Sequence, residues 1–374
     1  MFCKNHISEA KDSMTTTRKI SLGSFDFAKG FLIILVILGH TLNSGNYYIL
    51  CEKLFSKGPN LANSTFYIIP AFFIISGFGF KEKPAAKLIK KLFHDLIIPY
   101  LLVMLAIALV YPFSYYFQFH NWSESITITI RFLLAFALGI PEYGKVFLGY
   151  DVLSIYALWF FLTLFVAMNG LNLIIKIKNR AVQVCIVAVC ALVGYSLLIR
   201  EINYFCIPQG LIAIGYCYVG YLLKRFDLIE MKRNYTLVYV VLGAISLAEI
   251  KWGYFDLCLG NFKNGFLDCI AAGCGGVLFT SVSLRIGRFE WKGLDWIKQI
   301  GVYSYWILCI HTVEARLAQW NILAASMSSQ GVAFILELAI KAGIIISVCH
   351  ILKKISKYKY RRRVNRREKQ RILT

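Results

Sequence analysis

The run Phe25–Gly45, FDFAKGFLIILVILGHTLNSG, sets three titratable side chains on a stretch that is otherwise almost wholly apolar. Asp26 and Lys29 stand at its start. His40 follows Lys29 after ten residues that are only Gly, Phe, Leu, Ile and Val. On an α-helix eleven residues make three turns plus about 20°, a rise of about 16 Å, so Lys29 and His40 share one face. Asp26 lies at i, i+3 from Lys29, within reach of an ion pair. An ammonium can seat the phosphate of a charged donor, and an imidazole can take a proton from a hydroxyl. Gly39 lets a substrate or a neighbouring helix come close. The structural alternative is an interfacial Asp26–Lys29 pair with Lys29 snorkelling to the headgroups, and His40 as a hydrogen-bonded packing residue.

What positions these groups follows from composition. The 374 residues are 58% hydrophobic and 16% charged, with mean hydropathy +0.61, whereas a soluble domain carries roughly 25% charged residues. Several runs reach the ~18 apolar residues that read as a membrane span. The fold class expected is an all-α polytopic membrane bundle of about ten helices, near 25–43, 64–80, 96–117, 153–175, 181–199, 204–223, 235–250, 266–284, 300–318 and 331–352. Segment 126–140 is apolar but short and interrupted by Arg131, so it reads as an interfacial or re-entrant helix. With both termini cytoplasmic, every inner segment carries more Lys and Arg than any outer loop, as the positive-inside rule requires. The domains expected are a cytoplasmic tail 1–24, a transmembrane domain 25–352 and a basic cytoplasmic tail 353–374, placing the chain as a multi-pass protein of the cell membrane. The polar start, with no small-residue cleavage pattern after the first apolar run, does not read as a cleavable signal.

The net charge of +21 does not imply nucleic acid. Eleven Lys or Arg lie between Lys353 and Arg371, where a basic juxtamembrane tail sits on anionic lipid. Most of the eleven cysteines lie in apolar runs, with no CxxC spacing, so neither a disulfide framework nor a metal site is expected.

Five segments carry a family resemblance. FDFAKGFLIILVILGH is similar to the first helix of the integral-membrane acyltransferase 3 family, whose basic residue and histidine, ten residues between, fall on Lys29 and His40. PAFFIISGFGF (Pro70 to Phe80) resembles its second-helix element, and KKLFHDLIIPYLL its basic approach to the third helix. LWFFLTLF (Leu158 to Phe165) and IGVYSYWILCIHTVE (Ile300 to Glu314) resemble its Leu-Trp-Phe and late Ser-Tyr-His elements. The resemblance implies transfer of an acyl group, most simply acetyl from acetyl-CoA as co-substrate, to a hydroxyl of an extracytoplasmic carbohydrate or glycolipid of the cell wall or surface polysaccharide. It implies no permanently bound cofactor. One departure stands out: where the family often has Arg-x-x-Arg, this chain has Lys91-x-x-His94, which loses the bidentate fork of arginine.

The candidate roles follow. Catalysis falls to His40, Lys29 and Asp26, with His40 either a general base or transiently acylated. Donor binding falls to Lys87, Lys90, Lys91, His94, Ser76 and Gly77, although the lysines also serve topology and Ser76 and Gly77 also read as small packing residues. The acceptor side falls to His311, Glu314, Tyr305 and Trp159, and a structural histidine is an equal reading of His311. Glu337 and Lys341, at i, i+4 in the tenth span, read as an internal ion pair. Trp122, Glu124, Glu142, Tyr143 and Asp151 suit either carbohydrate recognition or an ordinary wet interface. A transporter or flippase of a glycan or lipid precursor is the competing class, and a non-catalytic membrane subunit the third.

Overall fold

The computed structural model describes residues 23–42, 47, 68–142, 145–147, 149–229, 235–318 and 320–372. The expected tail 1–24 lies almost wholly outside these residues, as do Tyr143 and the first four residues of the expected second span. Helix α1 is Gly23–Leu42. It is followed by α2 (Ile69–Phe78), α3 (Ala85–Leu92), a π-turn (Phe93–Ile97), α4 (Ile98–Phe119) and α5 (Trp122–Leu138). Next come α6 (Trp159–Ile174), α7 (Arg180–Ile199), α8 (Ile207–Arg225), α9 (Thr236–Trp252), α10 (Phe266–Ile286), α11 (Lys292–Leu317), α12 (Trp320–Ser326) and α13 (Gln330–Ile372). Two short antiparallel hairpins interrupt them: β1 (Lys145–Phe147) with β2 (Tyr150–Val152), and β3 (Phe255–Asp256) with β4 (Asn261–Phe262).

Among the described residues six helices are long and apolar enough to cross a membrane, and α2 is a shorter apolar one. The expected spans near 204–223, 235–250 and 300–318 coincide with α8, α9 and α11 but are not among the six. Helix α9 is only 17 residues long, and α11 carries Lys292, Asp295, Lys298, His311, Glu314 and Arg316.

The expected interfacial or re-entrant helix near 126–140 is a helix over 122–138, begun by Asn121, whose side chain accepts the Glu124 N–H, and ended by Gly139 at φ 61°. It lies antiparallel on α4, with Tyr111 and Phe132 rings 4.7 Å apart and Tyr100 Oη donating to Phe136 O at 2.6 Å. The Phe205 N–H donates to Leu138 O, so α5 ends beside the segment that leads into α8. Helix α13 runs through the expected boundary at 352 without a break.

Central helix α8 packs against α2, α6 and α7. Two glycine contacts set the closest approaches. A Cβ on Gly77 would overlap the Cys217 carbonyl, and one on Gly220 the Ile74 carbonyl, so α2 and α8 touch backbone to backbone. Gly30 and Gly301 do the same for α1 and α11, where Gly301 meets the Asp26 carbonyl. That second contact brings His40 of α1 level with His311 of α11.

Candidate active site

Lys29 and His40 line one cavity of ≈ 190 Å³ between α1, α2, α6 and α11, walled by Ile33, Phe72, Ile75, Phe160 and Leu308. His40 also lines a second cavity, ≈ 650 Å³, with Tyr156, Asp256, Arg316 and Trp320. His40, Ile69 and Trp159 belong to both and so form the neck between them. The smaller space has Lys29 at its far end, where Nζ pairs with Asp26 Oδ1 at 2.8 Å.

The His40 ring lies 4.6 Å from that of Tyr156 and 5.4 Å from that of His311, centroid to centroid. Neither of its nitrogens hydrogen-bonds another described residue. Tyr156 holds φ 55°, a left-handed backbone uncommon for a bulky residue that persists only where the surroundings fix it. Its ring is held between His40 and the Arg316 guanidinium, 5.0 Å from the centroid, and Arg316 Nη2 donates to Ser154 O at 2.8 Å.

Behind His40 lies a buried ionic network. His311, 3% exposed, contacts Glu314 Oε2 through Nδ1 at 2.9 Å, and its buried Nε2 has no hydrogen-bond partner among the described residues. The other Glu314 oxygen accepts from Trp320 Nε1 and lies 3.7 Å from Lys341 Nζ. Lys341 is 3% exposed and pairs with fully buried Glu337 at 2.6 Å. It also donates to Thr41 Oγ1 at 3.0 Å. The sequence spacing shows the Glu337–Lys341 pair; the fold adds that Lys341 ties α13 to Thr41, next to His40, and to the carboxylate that holds His311.

Several candidates stand elsewhere than expected. Gly77 does not line the cavity that holds Lys29, because the α8 backbone occupies its open side. Ser76 lines it, but its hydroxyl donates to Phe72 O at 2.8 Å. Tyr305, expected on the acceptor side, lines the cavity that holds Lys29, and its buried hydroxyl has no hydrogen-bond partner among the described residues. Lys91 and His94 both contact Asp95 in the π-turn and are exposed, so one carboxylate engages the two residues at the family's arginine positions. Lys87 and Lys90 are exposed on α3. The approach to α3 is fixed by Asn172, whose side chain exchanges hydrogen bonds with the Lys83 backbone at 3.1 and 3.0 Å. Of the loop candidates, Asp151 pairs with Arg131 at 3.2 Å, Glu142 with Lys145 at 3.3 Å, and Trp122 stacks on Tyr116. None of the three lines the large cavity.

Sequence reading overlooked Asp256. It is 3% exposed, lines the large cavity, and accepts the Leu259 N–H at 3.0 Å through Oδ1. The hairpin signal was present as Gly260–Asn261 beside FDLCL, but nothing in that stretch states what it covers. Burial pushes the Asp256 carboxyl from 3.8 up to about 6, and backbone N–H donation only partly offsets this. Between about pH 4 and about pH 6 the folded chain therefore holds a proton the unfolded chain has lost. Stability falls as pH rises through that window and the cost persists above it.

A family model described as an acyltransferase domain matches residues 22–353. No curated protein and no solved structure matches the chain.

Proposed function

The chain belongs to the acyltransferase 3 family, whose domain spans residues 22–353, and from that premise we propose that it moves an acyl group from a cytoplasmic acyl-CoA to a hydroxyl presented at the opposite membrane face. Membership and six apolar helices make it a multi-pass membrane acyltransferase. Acetyl as the group, a surface carbohydrate as the acceptor and cytoplasmic termini are our reading.

The single observation that carries it is the position of His40 in the neck between two cavities. The donor's phosphates rest near Lys29, with exposed Lys87 and Lys90 of α3 contributing positive field at the same end. The helical rise of about 16 Å from Lys29 to His40 suits an extended pantetheine arm. The acceptor hydroxyl enters the larger cavity. His40 removes its proton, the oxygen attacks the thioester carbonyl, and the C–S bond breaks as the proton passes to the departing thiolate. His311, held by Glu314, stands beside the imidazolium that forms. Asp26 keeps the Lys29 ammonium turned into the cavity mouth.

Acetyl-CoA tests this directly. It is expected to raise the melting temperature of detergent-solubilised protein, and Lys29→Met to lose most of that protection. Loss of a charge-assisted contact to phosphate corresponds to about a tenfold weaker donor, or ~1.4 kcal/mol. Equal protection of the two proteins would remove Lys29 from donor binding. Protection by a glycan or lipid precursor but not by acetyl-CoA would favour the transporter reading.

A further inference from the structure

Asp256 is the one carboxylate among the described residues lining the large cavity, and nothing in the proposed transfer uses it. No described cation pairs with it. The guanidinium in the same cavity, Arg316, is engaged by Ser154 O and lies over the faces of Phe132 and Tyr156, 4.9 and 5.0 Å from the ring centroids. A buried carboxylate without a counter-charge is costly unless donors reach it. The described donors are two backbone N–H groups of its own turn, Leu259 on Oδ1 at 3.0 Å and Cys258.

The β3–β4 hairpin holds this group buried in the cavity wall rather than in solvent. The neighbouring surfaces are aromatic: Tyr111, Tyr156, Trp159 and Trp320. Aromatic faces beside a carboxylate acceptor suit a ligand with C–H faces and hydroxyl edges. A volume of ≈ 650 Å³ lies within the roughly 300–1,000 Å³ of ordinary ligand sites.

We propose that Asp256 binds the acceptor, its carboxylate accepting hydrogen bonds from the two hydroxyls of a vicinal diol on the sugar whose further hydroxyl is acylated at His40. This rests on the acyltransferase reading and names the acceptor's chemical class. Burial disfavours the ionised form of Asp256, and two hydroxyl donors favour it.

The test separates ligand binding from the structure of the turn. Asp256→Asn keeps an Oδ1 acceptor for the Leu259 N–H and removes the charge and one acceptor oxygen. The probes are methyl α-D-glucopyranoside and its monodeoxy analogues, titrated by saturation-transfer NMR against protein in a zwitterionic detergent. Wild type is expected to bind the glucoside more tightly than the analogues lacking either diol hydroxyl. In Asp256→Asn, glucoside affinity should fall about ten- to a hundredfold and the preference should vanish, with the melting temperature not lowered. No binding by wild type, or the same preference in Asp256→Asn, overturns the assignment. Binding with the expected pattern but no acyl transfer by wild type would instead overturn the acyltransferase mechanism and leave this site standing.

Discussion

His40→Ala lowers acyl transfer by about 10²–10⁴-fold, the contribution of a positioned general base, while expression and melting temperature stay at wild-type values. Both halves follow from where the ring stands. It lies at the neck of two cavities and makes no hydrogen bond to a described residue, so its removal strands no partner. A structural histidine would behave in the opposite way, costing stability and sparing turnover. Thiol release from acetyl-CoA with a sugar acceptor, measured beside a thermal melt, reads both. Full activity in His40→Ala would remove the mechanism outright. A covalent adduct on His40 after rapid quench would instead mark the acyl-imidazole route.

Lys341→Met carries the second large effect, and it falls on the fold. Removing the ammonium leaves Glu337, fully buried, and Glu314 without the cation between them. Breaking a buried pair from one side costs about 3–5 kcal/mol, enough to lower the yield of folded protein sharply. Lys341→Met combined with Glu337→Leu is expected to recover most of that stability, because replacing both members by apolar groups of similar volume is close to neutral. Activity is not expected to return with it. Thr41, adjacent to His40, loses its Lys341 donor, and Glu314 loses the charge that faces it opposite His311. Melting temperatures and turnover of the wild type, single and double variants decide the matter. A single variant as stable as wild type would show that the network is not paired as described, and a fully active double variant would confine Lys341 to stability.

The sequence disclosed the site's axis and left its walls hidden. Lys29 and His40 announce themselves by spacing alone, because a helix turns by a fixed angle and titratable groups are conspicuous in an apolar run. The family elements placed Trp159 and His311 in helices that prove to meet His40. Gly77 could not be assigned to donor or packing from its own helix; the answer sits in Cys217, 140 residues away along the chain. Tyr305, expected on the acceptor side, lines the cavity with Lys29, and its packing against Phe161, 5.1 Å between centroids, could not be read from its own helix. The Lys91–His94 departure from the family's arginines gains its meaning from Asp95, since the π-turn brings all three together at the surface. Asp256 was invisible for the most general reason: its stretch reads as an outer loop, and loop carboxylates are ordinarily solvated. Only the hairpin's packing onto α10 buries it.

The central claim is that one imidazole stands where a donor from one membrane face meets an acceptor from the other. A cryo-electron microscopy structure with a non-reactive thioether analogue of acetyl-CoA tests it most directly. The account predicts phosphates near Lys29, the arm in the ≈ 190 Å³ cavity, and the acyl carbonyl analogue within about 4 Å of the His40 ring. An analogue seated away from that cavity, or one whose acyl end lies out of reach of His40, would contradict it.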